Sequence, residues 1–71
     1  MEFRRFQLLR REDETGLSGT GYVAEGVKFS DGTVVIRWTT STPTTGIYPD
    51  MATLEHLHGH QGKTGIVFLN E

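Results

Sequence analysis

Seventy-one residues with no cysteine and a net charge of −2 make one small domain, residues 1–71, which has no disulfide or thiolate metal site to lean on and rests on packing alone. No stretch approaches the ~20 apolar residues of a membrane span, and the opening MEFRRFQLLRRE lacks the apolar run of a signal peptide, so the expectation is a cytoplasmic protein with no membrane partner. The charge is uneven: Arg4, Arg5, Arg10 and Arg11 stand against Glu2 at the start, while the remainder is acidic, a balance that lowers the case for a domain gripping a phosphate backbone.

Residues 3–10, FRRFQLLR, predict a first strand with Phe6 and Leu8 on one face and Arg5, Gln7 and Leu9 on the other; a short helix competes for the same letters. The charged and Gly-containing REDETGLSG at 11–19 predicts a loop or wide turn.

The run from Tyr22 to Thr39, YVAEGVKFSDGTVVIRWT, predicts the central hairpin. Asp31-Gly32 suits a two-residue type I′ turn, in which both central residues need φ > 0. That turn sets Ser30 opposite Thr33, Phe29 opposite Val34, Val27 opposite Ile36 and Glu25 opposite Trp38, with these apolar residues on the core face. Lys28 beside Val35 and Gly26 beside Arg37 then form the outer face. Glu25 is the anomaly of this register, a carboxylate across from Trp38; fraying or a bulge at Ala24-Glu25-Gly26 would turn it outward.

The Thr-rich stretch around Pro43 predicts an exposed edge segment, followed by a brief strand at Ile47 and Tyr48. Asp50 has the character of an N-cap for a helix over 51–58, with Met51, Leu54, Leu57 and His58 on one side and Gly59 in the left-handed position past its end. TGIVFL at 64–69 closes the chain as a strand with Ile66 and Phe68 alternating against Val67 and Leu69. The expected fold is therefore α+β and β-rich: a small curved antiparallel sheet of four or five strands with one short helix. It buries Phe6, Leu8, Val27, Phe29, Ile36, Trp38, Leu54, Leu57, Ile66 and Phe68. An SH3-like small barrel is the alternative.

Two motifs invite a chemical reading. GHQGKTG at 59–65 imitates a phosphate-binding loop, but Leu57 stands where the pattern needs its first glycine, and a helix precedes the turn where a strand belongs. His56, His58 and His60 could ligate a metal, but Gly59 interrupts the helix between the two histidines with i,i+4 spacing, so no metal and no cofactor is expected. Without cysteine, a nucleophile elbow or paired carboxylates, nucleophilic catalysis has nothing to attach to, and the expectation is a protein that is not an enzyme.

The segment GTGYVAEGVKFSDGTVVIRW, followed by a Thr/Pro stretch, a short helix and LHGHQGKTGIVFL, resembles a family of short proteins of actinobacteria and their phages. The distinctive parts are VAEGVxFSDGxVxxRW and HGHxGxT. The resemblance implies a cytoplasmic protein of a bacterium or of its phage and carries over no functional residue. Tyr48 stands where the relatives commonly place an aromatic before the helix, which implies a packing role for it.

The function expected from these observations is that of an interaction module binding another protein, as a phage-type accessory protein acting on a host factor would, through Lys28, Val35 and Arg37 on the outer hairpin face and the nearby first strand. A nucleic-acid binder using Arg4, Arg5, Arg10, Arg11 and Arg37 with Tyr22 as a stacking group is the alternative. A metal-dependent or oligomeric enzyme built on the three histidines is the third reading, and self-association into a homo-oligomer is compatible with each.

Overall fold

The computed structural model describes residues 2–11, 21–59 and 62–69. Five strands, β1 (Arg4–Arg10), β2 (Gly21–Lys28), β3 (Val34–Trp38), β4 (Thr45–Tyr48) and β5 (Thr64–Phe68), and one helix, α1 (Met51–His58), follow in the order β1-β2-β3-β4-α1-β5. All pairings are antiparallel, and the sheet order is β4-β3-β2-β1-β5. The sheet is open, so it is the α+β reading and not the small barrel that forms. The first-strand reading is borne out; the loop expected over 11–19 lies, beyond Arg11, outside the described residues.

The topology explains why one face is covered. β4 and β5 are opposite edges, and five strands at ~4.8 Å spacing are about 19 Å wide. The connection must cross that width, and eight helical residues at 1.5 Å rise supply about 12 Å of it. Asp50 caps the helix as expected, its Oδ1 accepting from the Thr53 N–H at 2.7 Å. Hydrogen bonds to the carboxylate from the Thr53 side chain and, next, from this N–H hold the Asp50 pKa below its ordinary 3.8. Leu54 is buried, and Met51 and His58 are half-buried against the sheet, but Leu57 is exposed. The inward stripe is therefore 51-54-58, narrower than expected. Gly59 also departs from expectation: it stays right-handed (φ −71°, ψ −24°) and donates its N–H to the Glu55 carbonyl. A Cβ there would overlap that carbonyl oxygen, so glycine is required for clearance, and the positive φ falls instead on Gly62 (φ 89°).

The central hairpin corrects the predicted register by one residue. The Phe29 N–H donates to the Thr33 carbonyl at 2.8 Å and the Gly32 N–H to the Phe29 carbonyl at 3.0 Å, closing a three-residue loop, Ser30–Gly32, instead of a two-residue turn. This loop form needs left-handed geometry only at its last residue, and that residue is Gly32, at φ 96°. Asp31 secures it by accepting the Thr33 N–H at 2.8 Å, which also lowers the Asp31 pKa.

The pairs are consequently Lys28↔Val34, Val27↔Val35, Gly26↔Ile36, Glu25↔Arg37 and Ala24↔Trp38. The expected facing of β3 holds, with Val34 and Ile36 buried and Trp38 packed at the core's margin, but every β2 residue in these pairs is reversed. Val27 and Phe29 leave the core, and Phe29 is 46% exposed. Glu25 turns to solvent, which removes the cost of a carboxylate on the core face. A bulge replaces the lost apolar volume: Leu8 faces Ala24 and Leu9 faces Tyr22, so Val23 is the extra residue. Val23 and Ala24 are both buried, as two successive residues can be only where the alternation is interrupted.

The core is Phe6, Leu8, Val23, Ala24, Val34, Ile36 and Leu54, with Trp38, Tyr48, Met51, Ile66 and Phe68 packed against it. Phe6 lies opposite Gly26, and a Cβ on Gly26 would meet the Phe6 ring at 2.5 Å and the Val35 carbonyl oxygen at 2.7 Å. The glycine thus gives the largest core side chain room to lie across the sheet. Tyr48 takes the packing role its position implied.

Candidate binding surface

The face of the sheet turned away from α1 carries two rows of side chains running across the strands. One is Ile47–Val35–Val27–Arg5, and the next is Thr45–Arg37–Glu25–Gln7–Val67. Ile47 is 73% exposed. Leu69 joins the first row beyond Arg5, where its N–H donates to the Arg5 carbonyl at 3.0 Å. Between the rows runs a groove of about 340 Å³, lined by Val27, Val35 and Leu69 with Arg5, Arg37, Gln7 and Glu25. Arg37 is held over it by donating from Nη1 to Thr45 Oγ1 at 3.0 Å. The arrangement offers an apolar floor and two guanidinium groups against one carboxylate.

Val35 and Arg37 of the expected surface are brought together on this face. Lys28 is not: the register shift places it opposite Val34 and beside Arg4, on the side of the helix. Arg5 and Gln7 come from the first strand, whose period-two alternation put them on the outward face; Val27 and Leu69 are the members missed from sequence, and the correct hairpin loop would have delivered Val27.

The N-terminal arginines do not form one patch. Arg4 lies over the Phe68 ring at 4.0 Å, on the helix side. Arg5 is on the opposite face. Arg10 is buried under the helix side, its guanidinium carbon 5.8 Å from the centre of the Trp38 ring. Arg11 crosses Gly65 and donates to the Gly62 carbonyl at 3.2 Å. Tyr22 is exposed opposite Leu9. Strand alternation scatters the charges that the linear sequence groups.

The histidines separate as well. His58 Nε2 lies 2.9 Å from the Tyr48 hydroxyl, and its ring meets Trp38 edge-on at 5.1 Å. His56 is exposed, and His60 lies outside the described residues. Among the described residues no group of three His, Cys, Asp or Glu side chains is placed to hold a metal ion, and no helix is long and apolar enough to cross a membrane.

The fold and surface define a small β-rich α+β protein whose sheet is covered on one side and open, with a groove, on the other. The family model described as Acb5 phage protein matches residues 3–70, and the chain belongs to that family. No curated protein and no solved structure matches it.

Proposed function

We propose that the protein is a non-enzymatic phage accessory module that docks an acidic protein partner, a host factor, on the open face of its sheet. The observation that carries this reading is the groove: Val27, Val35 and Leu69 form its apolar floor, while Arg5 and Arg37 supply cations that meet carboxylates in a planar, two-pronged geometry. Exposed Ile47 extends the apolar row past the groove, in the way interfaces surround a few anchoring contacts with complementary ones. The family assignment supports a phage context. The dispersal of Arg4, Arg5, Arg10 and Arg11 over both faces supports a protein partner in preference to nucleic acid, which wants its cations along one track.

Capture of the partner by the tagged full chain, with nuclease present, tests the reading. Arg37→Glu combined with Val35→Lys should abolish capture while the melting transition stays near that of the parent. Lys28→Glu, on the other face, should leave capture intact. A partner retained by the double variant, or lost on nuclease treatment, overturns the proposal, and a captured species identical to the bait reassigns the face to self-association.

A further inference from the structure

We propose that Arg10 and Thr64, beside Trp38, form a binding site for a single oxyanion group, a carboxylate or a phosphate, on the helix side of the sheet. Arg10 continues the alternation of Phe6 and Leu8 in β1 and so points under the helix, where it is 9% exposed. Among the described residues its Nε–H has no hydrogen-bond partner. Thr64 sits directly opposite in β5, is 7% exposed, and its hydroxyl is also without a partner among the described residues. Directly opposed side chains have Cβ atoms about 4.5–5.5 Å apart, so the two side chains start from neighbouring positions.

Two neighbouring buried donors without acceptors are uncommon in a native fold and call for a cause. A water molecule could accept from both, but it brings no charge to the guanidinium whose Nε–H is buried there. An anionic oxygen satisfies the hydrogen bonds and the charge together. The Trp38 ring, which meets His58 edge-on and through it the Tyr48 hydroxyl, stands 5.8 Å from the guanidinium carbon. Thr64 also lines a groove of about 470 Å³ with Gly59, Gly62, Gly65 and Arg11. Small residues thus flank the approach, and a second cation stands beside it. Glu55 lines the same groove.

Trp38 is the only tryptophan, so its emission reports this site alone. The full chain is titrated with inorganic phosphate and, separately, with acetate, ionic strength being held constant with sodium chloride. A saturable change in Trp38 emission in the millimolar range, with a rise in melting temperature, is expected from at least one of the two anions, and which of them acts identifies the chemistry. Thr64→Val, which keeps shape and strand propensity, should weaken the response about tenfold, and Arg10→Met should eliminate it. In anion-free buffer Arg10→Met should melt at or above the parent, because an apolar chain of similar length removes a buried N–H that lacks an acceptor. No saturable response to either anion, a response that survives Arg10→Met, or an Arg10→Met variant melting well below the parent without anion overturns the proposal.

Discussion

Phe6 lies in the core of the sheet and Phe29 just past the end of β2, and their surroundings could hardly differ more. Phe6 is 1% exposed, lies across Gly26 and meets Phe68 edge-on at 6.0 Å. Phe29, at the mouth of the hairpin loop, is 46% exposed. The covered face is closed because the β4-to-β5 connection must cross it; nothing in the described chain crosses the other. Stability therefore resides on one side, leaving the other free to vary with what it contacts. The same substitution at the two positions measures this division. Phe6→Ala should cost about 3–5 kcal/mol, enough to unfold much of a domain this size, whereas Phe29→Ala should fall under about 1 kcal/mol. Equal losses in denaturant titration would mean that the loop end of the hairpin is packed against something in solution.

A smaller effect comes from the strand shared by both faces. Gly26→Ala places a methyl 2.5 Å from the Phe6 ring and 2.7 Å from the Val35 carbonyl oxygen. The ring can shift only by disturbing the core, and the carbonyl belongs to the β2–β3 ladder, so a loss of about 1–3 kcal/mol is expected. Phe6→Leu in the same chain should recover part of it by shortening the obstructing side chain. Absence of any recovery in the double variant would place the strain on the carbonyl contact alone.

How much of this was legible in the sequence follows the same division. β1, β3, β5 and the helix bounds follow from patterns that read correctly: Phe6 and Leu8 alternate with polar neighbours, Val34 and Ile36 bracket Val35, and Asp50 precedes a helical stripe. The facing of β2 did not, because Asp-Gly is compatible with two loops differing by one residue, and in a strand one residue reverses every side chain. Glu25 and Gly26 held the deciding information. The observed register exposes the carboxylate and sets the glycine under a phenylalanine, so reading those two residues as constraints on register, and not as anomalies within one, would have found it. The open-face groove was half legible for this reason: Val35 and Arg37 were recovered, while Lys28 followed β2 to the wrong side. Arg10 was legible as a core-facing position by simple alternation but was grouped with its charged neighbours. Its burial depends on Trp38 and Thr64, residues distant in sequence.

Gly32 tests the loop that decides which residues meet the helix and which meet solvent. Its φ of 96° is open to glycine and reachable by asparagine, but strained for a β-branched residue. Gly32→Val should therefore cost about 1–3 kcal/mol, with Gly32→Asn costing less. No atom lies within 4 Å of a Cβ at this position, so the penalty is conformational and not a clash. If Val and Ala variants lose equally while Asn loses nothing, the effect lies in the backbone; a loss that grows with side-chain volume would contradict that account.

The smallest expected effect separates the two carboxylates that close these features, Asp50 at the helix covering one face and Asp31 in the loop that sets the register. Both are solvent-exposed, and each has its pKa lowered below 3.8 chiefly by hydrogen bonds, from Thr53 and from Thr33 respectively. A carboxylate whose folded pKa is depressed contributes stability that is fully present above the unfolded pKa and is lost as pH falls through the folded one. The decline should therefore begin near pH 4 and continue downward, with neutral pH unaffected. Asp50→Asn keeps a side-chain oxygen able to cap the helix but cannot titrate, so it should flatten the acid limb for Thr53 and its helical neighbours while leaving the Thr33 amide as pH-sensitive as in the parent. Asp31→Asn should do the converse. Amide chemical shifts followed between pH 6 and 2 read the two sites separately; a Thr33 amide that stops titrating in Asp50→Asn would show that helix docking and hairpin register are coupled, making the covered face one cooperative unit with the loop that orients the open one.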